Sequence, residues 1–145
     1  MNDLQLHPMM VHFPLALTLT GFFCLLFSRL LQRTRMCSSL AACGHWNLIL
    51  GGLAALVTLA TGLGAAWHLH LYGAMQYTVS RHMIWAVCTS QVLALLALWR
   101  ALANTSNTPP SRLFLSLLFI ACGGLIVTAY YGGENVYHYA IGVRR

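Results

Sequence analysis

The fold class predicted by this sequence is all-α: an integral membrane antiparallel four-helix bundle with both termini outside (N-out/C-out). Three observations predict it. The 145 residues are 59% hydrophobic and only 7% charged, whereas a soluble domain covers its surface with roughly 25% charged residues. The apolar residues fall into four runs, each near the ~20 residues a helix needs to cross the hydrocarbon core. The links between runs are short, which favours antiparallel neighbours. In lipid the backbone must satisfy its own hydrogen bonds, and runs of this length do so as helices rather than barrel strands.

A single membrane domain, residues 1–145, holds all four spans. The first covers about 9–31. No basic segment precedes it and Asp3 stands before the apolar run, so it is expected to be retained rather than cleaved. "RTRMCSSLAACGH" leads to the second span, 46–67. "HLHLYGAMQYTVSR" leads to the third, 82–99, and "RALANTSNTPPSR" to the fourth, 113–131. In that last link Pro109-Pro110 stops regular structure, and Ser111 is placed to cap the following helix. Ala54, Thr58, Gly62 and Ala66 form one ridge of small residues, and Gly124, Thr128 and Gly132 another. Both are expected to be packing seams, where small side chains let helix backbones approach.

The net charge is +6, all eight basic residues are arginine, and the only acids are Asp3 and Glu134. The arginines sit at the ends of apolar runs, not in a basic stripe with interleaved aromatics. Orientation in a membrane explains them, and no nucleic-acid partner is expected. Arg29, Arg33, Arg35, Arg100 and Arg112 flank links one and three, against Arg81, Arg144 and Arg145 on the other face. This bias puts links one and three in the cytoplasm. The five cysteines form no C-x-x-C and imply no disulfide framework. Tyr72, Tyr77, Tyr130, Tyr131, Tyr137 and Tyr139, with Trp67, are placed as an interfacial aromatic belt.

On that topology six of the seven histidines gather on one face. His7 and His12 open span one, His68 and His70 close span two, His82 opens span three and His138 follows span four. Only His45 lies at the other face. A single histidine at a lipid boundary is often just an amphipathic residue. His12 and His82 lie inside or at the start of spans, where ionisable groups usually face the bundle interior. Pro14, just beyond His12, can open the helix and free backbone carbonyls. Glu134 is the only acid near a span. It either orients a ligating histidine or pairs with Arg81.

The opening His7-Pro8-x-x-Val11-His12-Phe13-Pro14, His82, and the close Gly132-Gly133-x-x-Val136-Tyr137 with Gly142-Val143 resemble the bacterial membrane family termed domain of unknown function 2231. The resemblance covers nearly the whole chain. It implies four spans in the bacterial inner (cytoplasmic) membrane and marks His7, His12, His82 and the Gly-Gly tail. Many relatives carry a histidine just before the Gly-Gly pair, where this chain has Tyr130-Tyr131. The family implies no activity.

Three readings of the histidine face follow. In the first it binds one haem b, with His12 and His82 as axial ligands across the bundle diagonal and His68 in reserve. Arg81 would then meet a propionate, and Glu134 would support the site. His45 alone at the other face excludes a second bis-histidine haem. Electrons would therefore pass to or from a quinone or periplasmic redox protein, alone or within a larger respiratory complex. In the second reading the face binds copper, through His7, His12, His68, His70 and His82 with Met9, Met10 and Met75, because thioether and imidazole together suit Cu(I). In the third the chain is a cofactor-free accessory subunit. No Ser-His-Asp set, phosphate-cradling loop or carboxylate pair marks a hydrolytic enzyme.

Overall fold

The chain begins with a helix that its own proline interrupts. In the computed structural model, α1 (Asp3–Met10) passes through Val11 into α2 (His12–Leu30). Val11 has helical angles, φ −61° and ψ −24°, so the backbone path continues and only the hydrogen bonding is broken. Pro14 has no N–H, which leaves the Met10 carbonyl without its partner four residues on. Thr58 of the next helix supplies one: its Oγ1 donates to Met10 O at 3.2 Å. The structure describes residues 3–67, 69, 72–103 and 105–141, with residues 3–6 by backbone alone. His68, His70, Gly142, Val143, Arg144 and Arg145 lie outside the described residues.

Three long helices follow: α3 (Met36–Trp67), α4 (Gly73–Leu102) and α5 (Arg112–Tyr137). With His7–Leu30 they make four segments long and apolar enough to cross a membrane. α3 starts at Met36 rather than near residue 46, and α4 at Gly73 rather than near 82. The added residues include Ala, Leu, Met, Gln and Arg, good helix formers, and no proline interrupts them. Hydropathy marks the depth of lipid, not the end of the helix. At a rise of ~1.5 Å per residue α3 is ~48 Å long, longer than the ~30 Å hydrocarbon core.

The helices close a ring in chain order: α2 packs on α3, α3 on α4, α4 on α5, and α5 back on α2, while among the described residues the backbones of the diagonal pairs α2/α4 and α3/α5 stay apart. α2 and α3 approach most closely where glycines face each other. A methyl on Gly44 would stand 3.0 Å from Gly21 O, and one on Gly51 2.8 Å from Thr18 Oγ1. Leu25, Leu48, Leu93 and Leu118 fill the centre and are fully buried. Truncating one to alanine would leave a cavity worth roughly 2–5 kcal/mol. Phe23, Leu53, Leu95, Ile120 and Ile126 are exposed. A surface as apolar as the core is expected of helices packed in lipid, where contacts rather than water exclusion drive association. Of the aromatic residues expected to form a belt, Trp67, Tyr72, Tyr77, Tyr130 and Tyr137 are exposed, and Tyr131 and Tyr139 are half-buried.

Two arginines pin the link between α4 and α5. Arg29 Nη1 donates to Pro110 O at 3.0 Å, and Arg100 Nη2 to Thr108 O at 2.6 Å. Arg100 is 4% exposed, its guanidinium 5.9 Å from the centre of the Phe114 ring. Ser111 caps α5 as its position predicts, its Oγ accepting from Phe114 N at 3.2 Å. The bundle thus has unlike ends: an arginine end at links one and three, and a histidine end where α1, the start of α4 and the last turns of α5 meet.

Candidate functional site

At the histidine end His7 and His82 face each other, their ring centroids 6.1 Å apart and their planes at 77°. Each is half-buried and rests on the helix that follows its own span. His7 Nδ1 donates to Thr58 O of α3 at 3.1 Å. His82 Nδ1 donates to Thr128 O of α5 at 2.9 Å. Thr61 Oγ1 donates to the same Thr58 carbonyl at 2.9 Å and lies 3.4 Å from His7 Nδ1.

Both rings also lie on a glycine. A methyl on Gly62 would stand 2.7 Å from His7 Cε1, and one on Gly132 would stand 3.2 Å from His82 Cε1. Thr58 and Gly62 are four residues apart, and so are Thr128 and Gly132. Positions i and i+4 share one helix face. An imidazole laid on that face meets the threonine carbonyl with Nδ1 and passes over the glycine with Cε1. The two hairpins thus build the same seat twice, Thr-x-x-x-Gly, each holding a histidine.

A carbonyl oxygen only accepts, so Nδ1 carries the proton in both rings. In the neutral imidazole Nε2 then keeps its lone pair. A ring nitrogen held by a backbone carbonyl, with the other left as donor, is the usual support of a metal-ligating histidine.

The sequence-predicted residues separate around this pair. His12 is exposed, and the ring against His82 is that of His7. His68 and His70 are outside the described residues, so the reserve ligand and the H-x-H element have no placement. Arg81 is exposed and turned onto its own helix: Nε donates to Tyr77 Oη at 3.2 Å, with the guanidinium 5.2 Å from the Tyr77 ring centre. Glu134 is half-buried and forms no ion pair with Arg81 among the described residues. His138 is exposed beside Tyr139. His45 lies at the arginine end, 6% exposed, edge-on to Trp46, with Nδ1 unpartnered. Among the described residues no three His, Cys, Asp or Glu side chains converge on one point. All five cysteines are free, with Cys24 Sγ 3.6 Å from Cys43 Sγ.

Sequence reasoning missed Thr58, Thr61 and Thr128 as supporting groups, and read Gly62 and Gly132 as seams between helix backbones. Gly62 and Gly132 instead face histidine rings, and Gly124 faces the Thr89 side chain. The signal was present: each ridge carries a threonine four residues before a glycine, near the depth where a histidine opens another span.

The geometry gives a place to three residues of the end motifs. In "HPMMVHFP" His7 is the seated ring, and Pro14 frees the carbonyl that Thr58 ties down. In "GGENVYHYAIGV" Gly132 is the floor under His82. No curated protein and no solved structure compared with the chain matches it. The family described as "Predicted membrane protein (DUF2231)" matches residues 3–145, which takes in both end motifs, all four membrane helices and both histidine seats. The chain belongs to that family, DUF2231.

Proposed function

We propose that the chain is a small b-type cytochrome-like membrane protein that holds one haem between His7 and His82 and passes electrons at its histidine end. The paired imidazoles carry this reading. They come from opposite corners of the bundle, each with Nδ1 tied to a carbonyl, and a neutral ring held this way keeps the lone pair on Nε2. Metal–imidazole bonds of ~2 Å on either side of one metal put two ring centroids ~6 Å apart, and the rings stand at 6.1 Å. Haem supplies four equatorial nitrogens itself and asks the protein only for axial donors, so a pair of imidazoles is a sufficient set. The threonine carbonyls would fix the ring planes and raise ligand basicity. Arg81, adjacent to His82, suits a propionate at the rim.

The arginine bias supports a histidine end facing outward from a bacterial inner membrane. The redox partner is then a quinone or a periplasmic protein, reached alone or within a respiratory complex. Copper is the second reading. The same spacing fits an ion shared by two imidazoles, and Met9 and Met10 follow His7 in α1.

A reduced-minus-oxidised visible spectrum of detergent-purified protein, with pyridine extraction and metal analysis of the same sample, tests this. Sharp α and Soret bands with extractable haem b are expected. A colourless sample carrying copper moves the pair to the second reading. A colourless, metal-free sample from membranes supplied with haem overturns both and leaves the accessory subunit.

A further inference from the structure

The arginine end has a charge that the chain cannot balance. Five of the eight arginines lie there, and no Asp or Glu occurs between Asp3 and Glu134. Both acids belong to the opposite end: Asp3 opens α1 and Glu134 lies in the last turn of α5. Arg100 is almost fully buried with Nε unpartnered. The neutralising charge has to come from outside the protein.

An open groove of about 460 Å³ lies where the end of α2 meets the start of α5, lined by Arg29, Leu30, Gln32, Arg112, Leu115 and Ser116. Its chemistry is two-sided. Arg29 and Arg112 offer guanidinium donors on facing helices, and Gln32 and Ser116 add neutral polar groups. Leu30 and Leu115 continue the apolar flank of the bundle. Arg29 uses only Nη1 to hold Pro110 O, which leaves further N–H groups. Arg112 is the first residue of α5, where the positive end of the helix dipole adds to its charge.

We propose that this groove binds the phosphate of an anionic phospholipid, such as a phosphatidylglycerol headgroup, with its acyl chains along Leu30 and Leu115. Guanidinium groups match phosphate oxygens two at a time. A site at the end of two membrane helices meets headgroups at their own depth. The apolar wall is what separates a lipid from free phosphate as the occupant.

Thermal unfolding of the full chain in neutral detergent at low salt tests this, with phosphatidylglycerol, phosphatidylcholine or inorganic phosphate added. Phosphatidylglycerol is expected to raise Tm by several degrees, and the other two to leave it in place. The R29Q/R112Q variant should lose most of that shift. R33Q/R35Q, which removes two exposed link arginines outside the groove, should keep it. If R29Q/R112Q does not fold, R112Q alone removes an exposed side chain and should lose part of the shift. Equal shifts with phosphatidylcholine, or with phosphate alone, would overturn the proposal. So would a full shift retained by R112Q and R29Q/R112Q, or one lost in R33Q/R35Q.

Discussion

The imidazoles of His7 and His82 stand 6.1 Å apart, although the helices that carry them, α1 and α4, do not otherwise pack on each other. Each ring is held by a further helix, α3 for His7 and α5 for His82. One pair of side chains therefore links four helices at this end. A contact built this way depends on the seats as much as on the rings.

The glycine floors give the first prediction. Gly62→Ala puts a methyl 2.7 Å from the His7 ring, and Gly132→Ala one 3.2 Å from His82. Crowding of this kind costs roughly 1–3 kcal/mol. G62A should lower Tm more than G132A. Gly64 has nothing within 4 Å of an added methyl, so G64A should be neutral or stabilising by up to ~1 kcal/mol. Equal effects at Gly62 and Gly64 in thermal unfolding would deny the seat.

Thr58 and Pro14 should be coupled. Thr58→Val removes the hydroxyl that serves Met10 O while keeping the carbonyl that holds His7, at a cost of about 1 kcal/mol. Pro14→Ala restores the N–H that Met10 O lacks, so the same T58V change should then cost less. A double-mutant cycle on unfolding free energy measures the coupling, and strict additivity would show the two are independent.

The four spans, their order and the Ser111 cap were legible because each rests on local pattern: apolar run length, link length, and a serine after Pro109-Pro110. That His7, His12, His82 and His138 belong to one end was legible from topology, while His68 and His70 lie outside the described residues. Which two meet was not. His12 is the deeper of the first pair in sequence, but the turn of α2 leaves it exposed, while α1 lays His7 against α3. Periodicity along one helix does not report how a neighbouring helix is rotated. The small-residue ridges were visible too, yet composition alone does not distinguish a backbone seam from a ring seat. The partner four residues earlier does, because its carbonyl supplies the second point of attachment.

The cap of α5 makes a separate prediction. Ser111 Oγ satisfies Phe114 N, and Ser111→Ala should destabilise by about 1 kcal/mol. Ser111→Asp keeps an acceptor and adds negative charge at the helix N-terminus, so it should match or exceed wild type in Tm. An S111D as unstable as S111A would contradict the capping role.

The most direct measurement of the central claim is the reduced-minus-oxidised spectrum of H7A and H82A beside H12A and H45A, each purified from the same membranes. The account predicts a haem b α band in wild type that H7A and H82A lose, with H12A and H45A unchanged. A spectrum abolished by H12A and retained by H7A would contradict it, and place the ligand on the exposed face of α2 instead of in the seat on α3.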